Sequence, residues 1–438
     1  MPTPTRIDYA TLTGKVLSAS NYERPRHLDS LKGVLVSNIS ANERLHSMDA
    51  LRAVAMLLGV VLHGGMAYME DVWSEWVADD PASSPAFDAM FWIVHLFRMQ
   101  AFFLLAGFFA CMLVARYGVR RFTANRLKRV GLPLLIGIFT VVPLCNAVWT
   151  WGFNLHAPLE DQVPLIGAIP AWFGMAFFSQ WHLWFLVHLL VMYAVALLWL
   201  KLSGVARPIA RVGEIITNAW IWCVRHALAA PVLAIAAFPL LFLQDGAGVD
   251  TQSGTIPDIT IIAYYMVFFA GGWMLYRRHE HLNDIARLWI PSLIAGLALS
   301  FVFMAMQGKA SINEGEATPL LRAVSALATA MIVIGFTGFF LHLLKRPSPA
   351  MRYMSDSAYW VYLVHLPLVV WLNLIVEPIN AGAFTKFGIV MLAATAIMYS
   401  TYHLFVRYTW IGSILNGPRL KAERTARRQA RRAASALG

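Results

Sequence analysis

The sequence predicts an all-α polytopic membrane protein of about ten transmembrane helices, with both termini cytoplasmic. Three observations lead there. Hydrophobic residues make up 58% of the 438 and charged residues only 13%, about half the charge of an ordinary soluble domain. The apolar residues gather in runs of about twenty, the length that crosses a bilayer as a helix. The loops between runs alternate between basic and acidic or nearly neutral, and basic loops stay inside.

The expected spans are, in order, 48–68, 89–115, 130–151, 181–202, 227–244, 257–276, 288–307, 319–344, 357–376 and 384–407. Pro231, Pro291 and Pro367 fall within or near them, where neighbouring groups can satisfy the freed backbone. Arg116, Arg120, Arg121, Arg126, Lys128 and Arg129 follow the second span, and Arg207, Arg211 and Arg225 the fourth. Arg277, Arg278 and Arg287 follow the sixth, and Lys345, Arg346 and Arg352 the eighth. The intervening loops carry Glu70, Asp71, Glu75, Asp79 and Asp80, then Glu160 and Asp161, then Asp245, Asp250 and Asp258. Residues 1–46 are polar and lack the apolar core of a secretion signal, so they read as a cytoplasmic extension. Residues 47–407 form the transmembrane domain and 408–438 a basic cytoplasmic tail. The stretch 152–180, with Pro158, Pro164 and Pro170, reads as a loop folded at the surface.

Within this frame several polar residues stand where apolar ones are expected. The first span, MDALRAVAMLLGVVLHGGMAY, holds Arg52 near its start and His63 near its middle. Three helical turns separate them, ~16 Å of rise, and place both on nearly one face. An ionisable residue inside a span is costly and marks a candidate functional site. The bland alternative has Arg52 snorkelling to the surface and His63 bonded to a neighbouring backbone. Imidazole is the natural base for activating a hydroxyl near neutral pH, and an arginine below it can hold a phosphate or carboxylate. Asp49 either orients Arg52 or decorates the helix start.

The second span opens HLFRMQAFF, where His95 and Arg98 share a face and Gln100 follows. Together they read as a cluster at the periplasmic mouth, able to meet His63 or bind a polar acceptor. In RRFTANRLKRVGLPLL, charge alone favours a positive-inside loop, yet Arg126 and Arg129 recur at helical spacing before Pro133. That spacing also suits paired bonds to phosphates. The fourth span opens QWHLWFLVHLL. Its Trp181 and Trp184 fit an interfacial belt, His182 can line an outer cavity, and His188 reads as a bonded core histidine. In the ninth, SAYWVYLVHLPLVVW, Tyr359 and Tyr362 fit aromatic packing, and His365 is a second candidate for a polar cavity.

Other chemistries lack their motifs. Cys111, Cys145 and Cys223 show neither metal spacing nor a disulfide framework. There is no Walker motif, dinucleotide fingerprint, HExxH or paired CxxC, so no metal and no permanently bound cofactor are expected. Despite a net charge of +11, no nucleic-acid module is present and no nucleic-acid partner is expected.

The segments MDALRAVAMLLGVVLH, FRMQAFFLLAGFF, NRLKRVGLPLL, HLWFL and YLVHLPL, in that order, resemble the membrane-bound acyltransferase type 3 family. The family's signature is an arginine and a histidine with ten residues between them in the first span, as Arg52 and His63 have. Within the family the chain is most similar to the subgroup that succinylates osmoregulated periplasmic glucans. The resemblance implies a cytoplasmic acyl-coenzyme A donor, with succinyl-coenzyme A expected, and transfer across the inner membrane to a periplasmic glucan hydroxyl. Carried onto this chain, His63 becomes the catalytic base, and Arg52, Arg126 and Arg129 the donor-binding residues. His95, Arg98, Gln100, His182 and Trp184 are expected at the acceptor or oxyanion site, with Asp49, Tyr362 and His365 as secondary candidates. For a succinyl donor, Arg98 is the expected cation for the distal carboxylate. An acyl-histidine intermediate stays open, as does the oligomeric state; membrane lipid is the remaining expected partner. Two rival readings are O-acetylation of another envelope polysaccharide or lipid-linked sugar, and transport of a polar solute. Missing internal repeats weaken the second.

Overall fold

The first helix starts before the expected span. In the computed structural model, which describes residues 40–70, 76–175, 179–252, 254, 256–312, 317–344, 346 and 348–416, α1 runs unbroken over Ser40–Gly65. All regular elements among the described residues are helical. The expectations for residues 1–39 and 417–438, including the sidedness of both termini, lie outside the described residues.

Helix α2 (Pro85–Arg126) is capped by the Ser84 side chain, which accepts from the Ala86 N–H. Pro85 occupies the first turn, where its missing N–H costs nothing. At Gly118 the backbone leaves the helical region (φ +76°, ψ 166°), a conformation glycine adopts without strain. A π turn, Leu127–Gly131, leads into α3 (Leu132–His156). The helical run from Pro85 to His156 is 72 residues, ~108 Å if straight and several bilayer cores long. Gly118 lies between the expected spans 89–115 and 130–151, and the π turn runs into the start of the second.

The stretch expected as a surface loop instead contains α4 (Leu165–Met175). Its helix packs on α3: Asn146 donates to the Trp172 carbonyl at 2.9 Å, and the Trp172 indole donates to Thr150 at 3.0 Å. Helix α5 (Trp184–Val205) follows. Then comes α6 (Arg207–Arg225), an amphipathic helix where the sequence suggested only a basic connection. It buries Thr217, Trp220, Ile221 and Val224, and its Glu214 pairs with Arg277 and Arg278. Helix α7 (Ala229–Ala237) continues as a 3₁₀ turn over Phe238–Leu243. The chain ends in α8 (Ile259–Arg277), short α9 (Leu282–Ala286), α10 (Trp289–Ile312), α11 (Pro319–Leu343), α12 (Pro349–Val376), α13 (Ala383–Thr401) and short α14 (Trp410–Leu415).

Eight helical runs among the described residues are long and apolar enough to cross a membrane. The expected ten are reached only by separating the two arms of the long run and adding Ala229–Leu243. That last segment rises ~25 Å, short of the ~30 Å hydrocarbon core. Outward faces carry exposed Leu135, Leu198, Phe301 and Leu392, the polarity that lipid demands of a multi-pass protein. Helix α1 packs between α12 and α2, and α2 lies along α8. The α2–α8 crossing depends on two glycines. A Cβ at Gly107 would come within 1.9 Å of the Phe269 carbonyl oxygen, and one at Gly272 within 1.8 Å of that of Leu104. Backbone meets backbone there, as small residues permit in membrane bundles.

Candidate active site between two cavities

The polar residues of α1, α2, α5 and α12 line two cavities. The first, about 690 Å³, is bounded by Asp49, Arg52, Arg121, Asn125, Arg126 and Arg129, with Tyr193, Ser355 and Tyr359. Arg52 pairs with Asp49 at 3.2 Å and donates to Ser355 Oγ at 3.3 Å, while Ser355 donates to the Asp49 carbonyl at 3.0 Å. Because α1 begins at Ser40, Asp49 stands in its third turn and faces Arg52; it does not decorate the helix start. The Arg126 guanidinium lies over Phe122 and Tyr193, 5.8 and 5.7 Å from the ring centroids. Arg129 is carried by the π turn that follows Arg126. Four guanidiniums facing one cavity make a site for a polyanion.

The second cavity, about 740 Å³, gathers His63, His95, Arg98, Gln100, His182, Trp184, Tyr362 and His365. Thus every acceptor-side candidate, the two secondary candidates of α12 and the proposed base share one chamber. Tyr359 faces the first cavity instead. His188 is fully buried and donates to the Trp184 carbonyl at 3.0 Å, the core role expected of it. Met56, Phe102 and Phe185 line both cavities, so an apolar partition three side chains wide separates the arginine set from the histidine set.

Hydrogen bonding fixes the tautomers at the centre of the second cavity. His365 Nδ1 lies 2.6 Å from the Tyr362 carbonyl oxygen. A carbonyl only accepts, so Nδ1 carries the proton and Nε2 of the neutral ring is an acceptor. That Nε2 is 2.9 Å from His63 Nδ1, which must therefore donate. The remaining nitrogen of neutral His63, Nε2, keeps an in-plane lone pair, the state a general base requires. His182 is tied into the same group. Its Nε2 donates to the Leu363 carbonyl at 3.2 Å, its own carbonyl accepts from the Tyr362 hydroxyl at 2.8 Å, and its ring lies 5.0 Å from that of His365. Among the described residues no three His, Cys, Asp or Glu side chains form a metal-binding group.

Arg98 occupies a notch in α1. A Cβ on Gly59, one turn before His63, would lie 2.1 Å from an Arg98 terminal nitrogen and 3.9 Å from His365 Nε2. The absent side chain makes room for the guanidinium beside the two imidazoles. Arg98 joins none of the ion pairs of the described residues, and its Nε has no hydrogen-bond partner among them. The acid lining this cavity, Asp250, accepts from the Asp245 and Gly246 backbone N–H groups. A partly buried cation without a protein anion suits an anionic ligand group.

Sequence reasoning missed Gly59, which looks like an ordinary apolar-span residue, and the partition, whose Met and Phe side chains resemble core. It also missed Trp76, which lines the second cavity from the segment before α2. Trp181 was read as an interfacial anchor. Its backbone has φ +47°, a region that costs a non-glycine residue ~1–2 kcal/mol and often accompanies functional sites.

Comparison with known proteins defines the class. The family model described as an acyltransferase domain matches residues 45–403, from α1 through α13, so the chain belongs to the acyltransferase type 3 family and is a membrane-bound O-acyltransferase. Similar proteins include glucans biosynthesis protein C of Escherichia coli strains K12, O157:H7 and SMS-3-5. Each is 24% identical over 385 residues, covering 83% of this chain and 92% of the relative. No solved structure gives a significant match.

Proposed function

We propose that this protein moves an acyl group, succinyl in the first instance, from cytoplasmic acyl-coenzyme A to a hydroxyl of a periplasmic glucan across the inner membrane. The observation that carries the reading is the pair of cavities meeting at Met56, Phe102 and Phe185. A donor with several phosphates suits the arginine-lined cavity, and a neutral polyol suits the histidine-lined one. The glucan is supported by the named relatives, and the orientation by the basic loops.

In this mechanism Arg52, Arg126 and Arg129 hold the phosphates while the pantetheine arm passes the partition and brings its thioester to His63. The rise of ~16 Å from Arg52 to His63 along α1 suits an extended arm. His63 Nε2 takes the proton of the acceptor hydroxyl as its oxygen attacks the thioester carbonyl. The tetrahedral intermediate collapses, the C–S bond breaks, and the departing thiolate takes the proton from His63, leaving an ester and free coenzyme A. His365 holds the His63 tautomer through the transfer. Arg98 meets the free carboxylate of the succinyl group, which supplies the counter-charge that the protein does not.

The test is transfer by purified protein in proteoliposomes, offered succinyl- and acetyl-coenzyme A separately with a periplasmic glucan, following product mass and free coenzyme A. Succinylated glucan, lost in His63→Ala, is the expected result. Arg98→Leu should impair succinyl transfer more than acetyl transfer; equal losses would reassign Arg98 to the oxyanion. Binding of neither donor, or turnover by His63→Ala near the parent rate, would overturn the reading.

A further inference from the structure

One wall of the second cavity is aromatic, and the mechanism above leaves it unused. The Trp76 indole lies near-parallel to the His63 imidazole, with planes 27° apart and centroids 6.2 Å apart. Both rings line the second cavity, so the indole borders it beside the imidazole. Trp76 meets Trp149 edge-on at 5.3 Å, and Trp149 leans on Trp181 at 4.2 Å. The Trp181 indole donates to Asn146 Oδ1 at 2.8 Å, which fixes the far end of this row of indoles.

The near end is fixed by a buried ion pair four residues past Trp76. Lys386 Nζ donates to the two Asp80 carboxylate oxygens at 2.9 and 2.8 Å and to the Glu377 carbonyl at 2.8 Å. The Lys386 and Asp80 side chains are 4% and 3% exposed. Asp80 also accepts from the Ala82 N–H at 2.8 Å, and its own N–H donates to the Ala67 carbonyl at 2.9 Å. A buried pair with this many bonds stabilises little beyond an apolar pair of similar size; what it supplies is a fixed position for the chain that carries Trp76.

We propose that Trp76 is the platform on which the ring of an acceptor sugar stacks beside His63, and that the Asp80–Lys386 pair positions it. The proposal rests on the acceptor-side reading given above. A pyranose presents an apolar C–H face to an aromatic ring and spreads its equatorial hydroxyls near the mean plane of the sugar. An imidazole lone pair also lies in the ring plane. With indole and imidazole near-parallel, a sugar on the indole directs an equatorial hydroxyl edge-on toward His63 Nε2, the geometry proton transfer needs.

The experiment measures KM for glucan and for acyl-coenzyme A separately, and glucan binding to the His63→Ala protein by calorimetry. Trp76→Leu, which keeps apolar bulk but removes the ring, should raise the glucan KM at least tenfold and leave the donor KM unchanged. Trp76→Phe should recover most of the loss. Replacing both charges, Asp80→Leu with Lys386→Met, leaves no orphan charge and should retain the fold while raising the glucan KM. An unchanged glucan KM in Trp76→Leu, or equal rises for donor and acceptor, would overturn the platform. An unchanged glucan KM in the double variant would overturn the positioning role. If the parent transfers no acyl group, the proposed reaction fails instead; the calorimetric comparison with and without Trp76 still decides the platform.

Discussion

Gly59→Ala is the smallest change that separates the stability of this protein from its chemistry. A methyl group at position 59 would lie 2.1 Å from an Arg98 terminal nitrogen. Restoring an ordinary contact of 3.4 Å requires the guanidinium to retreat by roughly 1.3 Å, and it can, because the obstructing atom is the end of a flexible side chain. The helix itself gains, since alanine is favoured over glycine in a helix interior by ~0.8–1.0 kcal/mol. Misplacing a positioning group by ~1 Å can cost ~10²-fold in rate. The expected result is therefore a melting temperature equal to or above the parent's, with succinyl transfer reduced about a hundredfold. Thermal unfolding in detergent and product mass against time read the two effects separately. A double-mutant cycle sharpens the test: with Arg98→Leu already present, Gly59→Ala should cost little more, because both changes remove one interaction. Parent-like turnover in Gly59→Ala would refute the placement of Arg98 beside the reacting centre, and full additivity of the two losses would refute their connection.

His365→Phe removes the acceptor of the His63 Nδ1–H and should lower kcat by of order 10²–10⁴-fold with little change in either KM; a pure KM effect would count against a tautomer-holding role. Arg126→Ala and Arg129→Ala should each raise the acyl-coenzyme A KM about tenfold or more, with a weaker salt dependence than the parent, and leave the glucan KM unmoved. Asp258 caps α8 and accepts from the Thr260 backbone N–H and hydroxyl, both at 2.7 Å; these bonds hold its carboxyl below the usual value. A depressed carboxyl stabilises the fold above its unfolded pKa of ~3.9 and loses that effect as pH falls through the lower folded value. Asp258→Ala should accordingly cost ~1 kcal/mol near neutrality, with the two melting curves converging in acid below pH ~4.

Hydropathy made the bundle legible because lipid imposes one rule on every span: apolar outside, backbone satisfied within. The rule falters where a segment is short. Ala229–Leu243 is apolar enough to read as a span, but the switch to 3₁₀ geometry at Phe238 has no signature in hydrophobicity. The amphipathic α6 was hidden for a related reason, since its arginines were absorbed into a count of loop charge. Among site residues, those whose presence in a span is costly stood out individually, as His63, Arg98 and His365 did. What the spacing left open was which ring would meet which, because the His63–His365 bond joins positions 302 apart in the chain. Gly59, Trp76 and the partition residues carry no such cost, so no local signal distinguishes them from packing.

The narrowness of the partition has an electrical consequence. In the proposed reaction the two cavities open to opposite faces of the membrane, and once they fill with water most of a transmembrane voltage drops across Met56, Phe102 and Phe185, which line both. A unit charge moved through the full voltage exchanges ~2.3 kcal/mol per 100 mV. As a donor in the proposed reaction, a succinyl group would carry such a charge past those three side chains, whereas an acetyl group would carry none. With the cytoplasm negative, as in an energised cell, outward passage of the anionic group runs downhill. In the proposed direction of transfer, membrane voltage would then act as a driving force for one donor and be invisible to the other, and the insulating layer that makes this so is no thicker than three side chains.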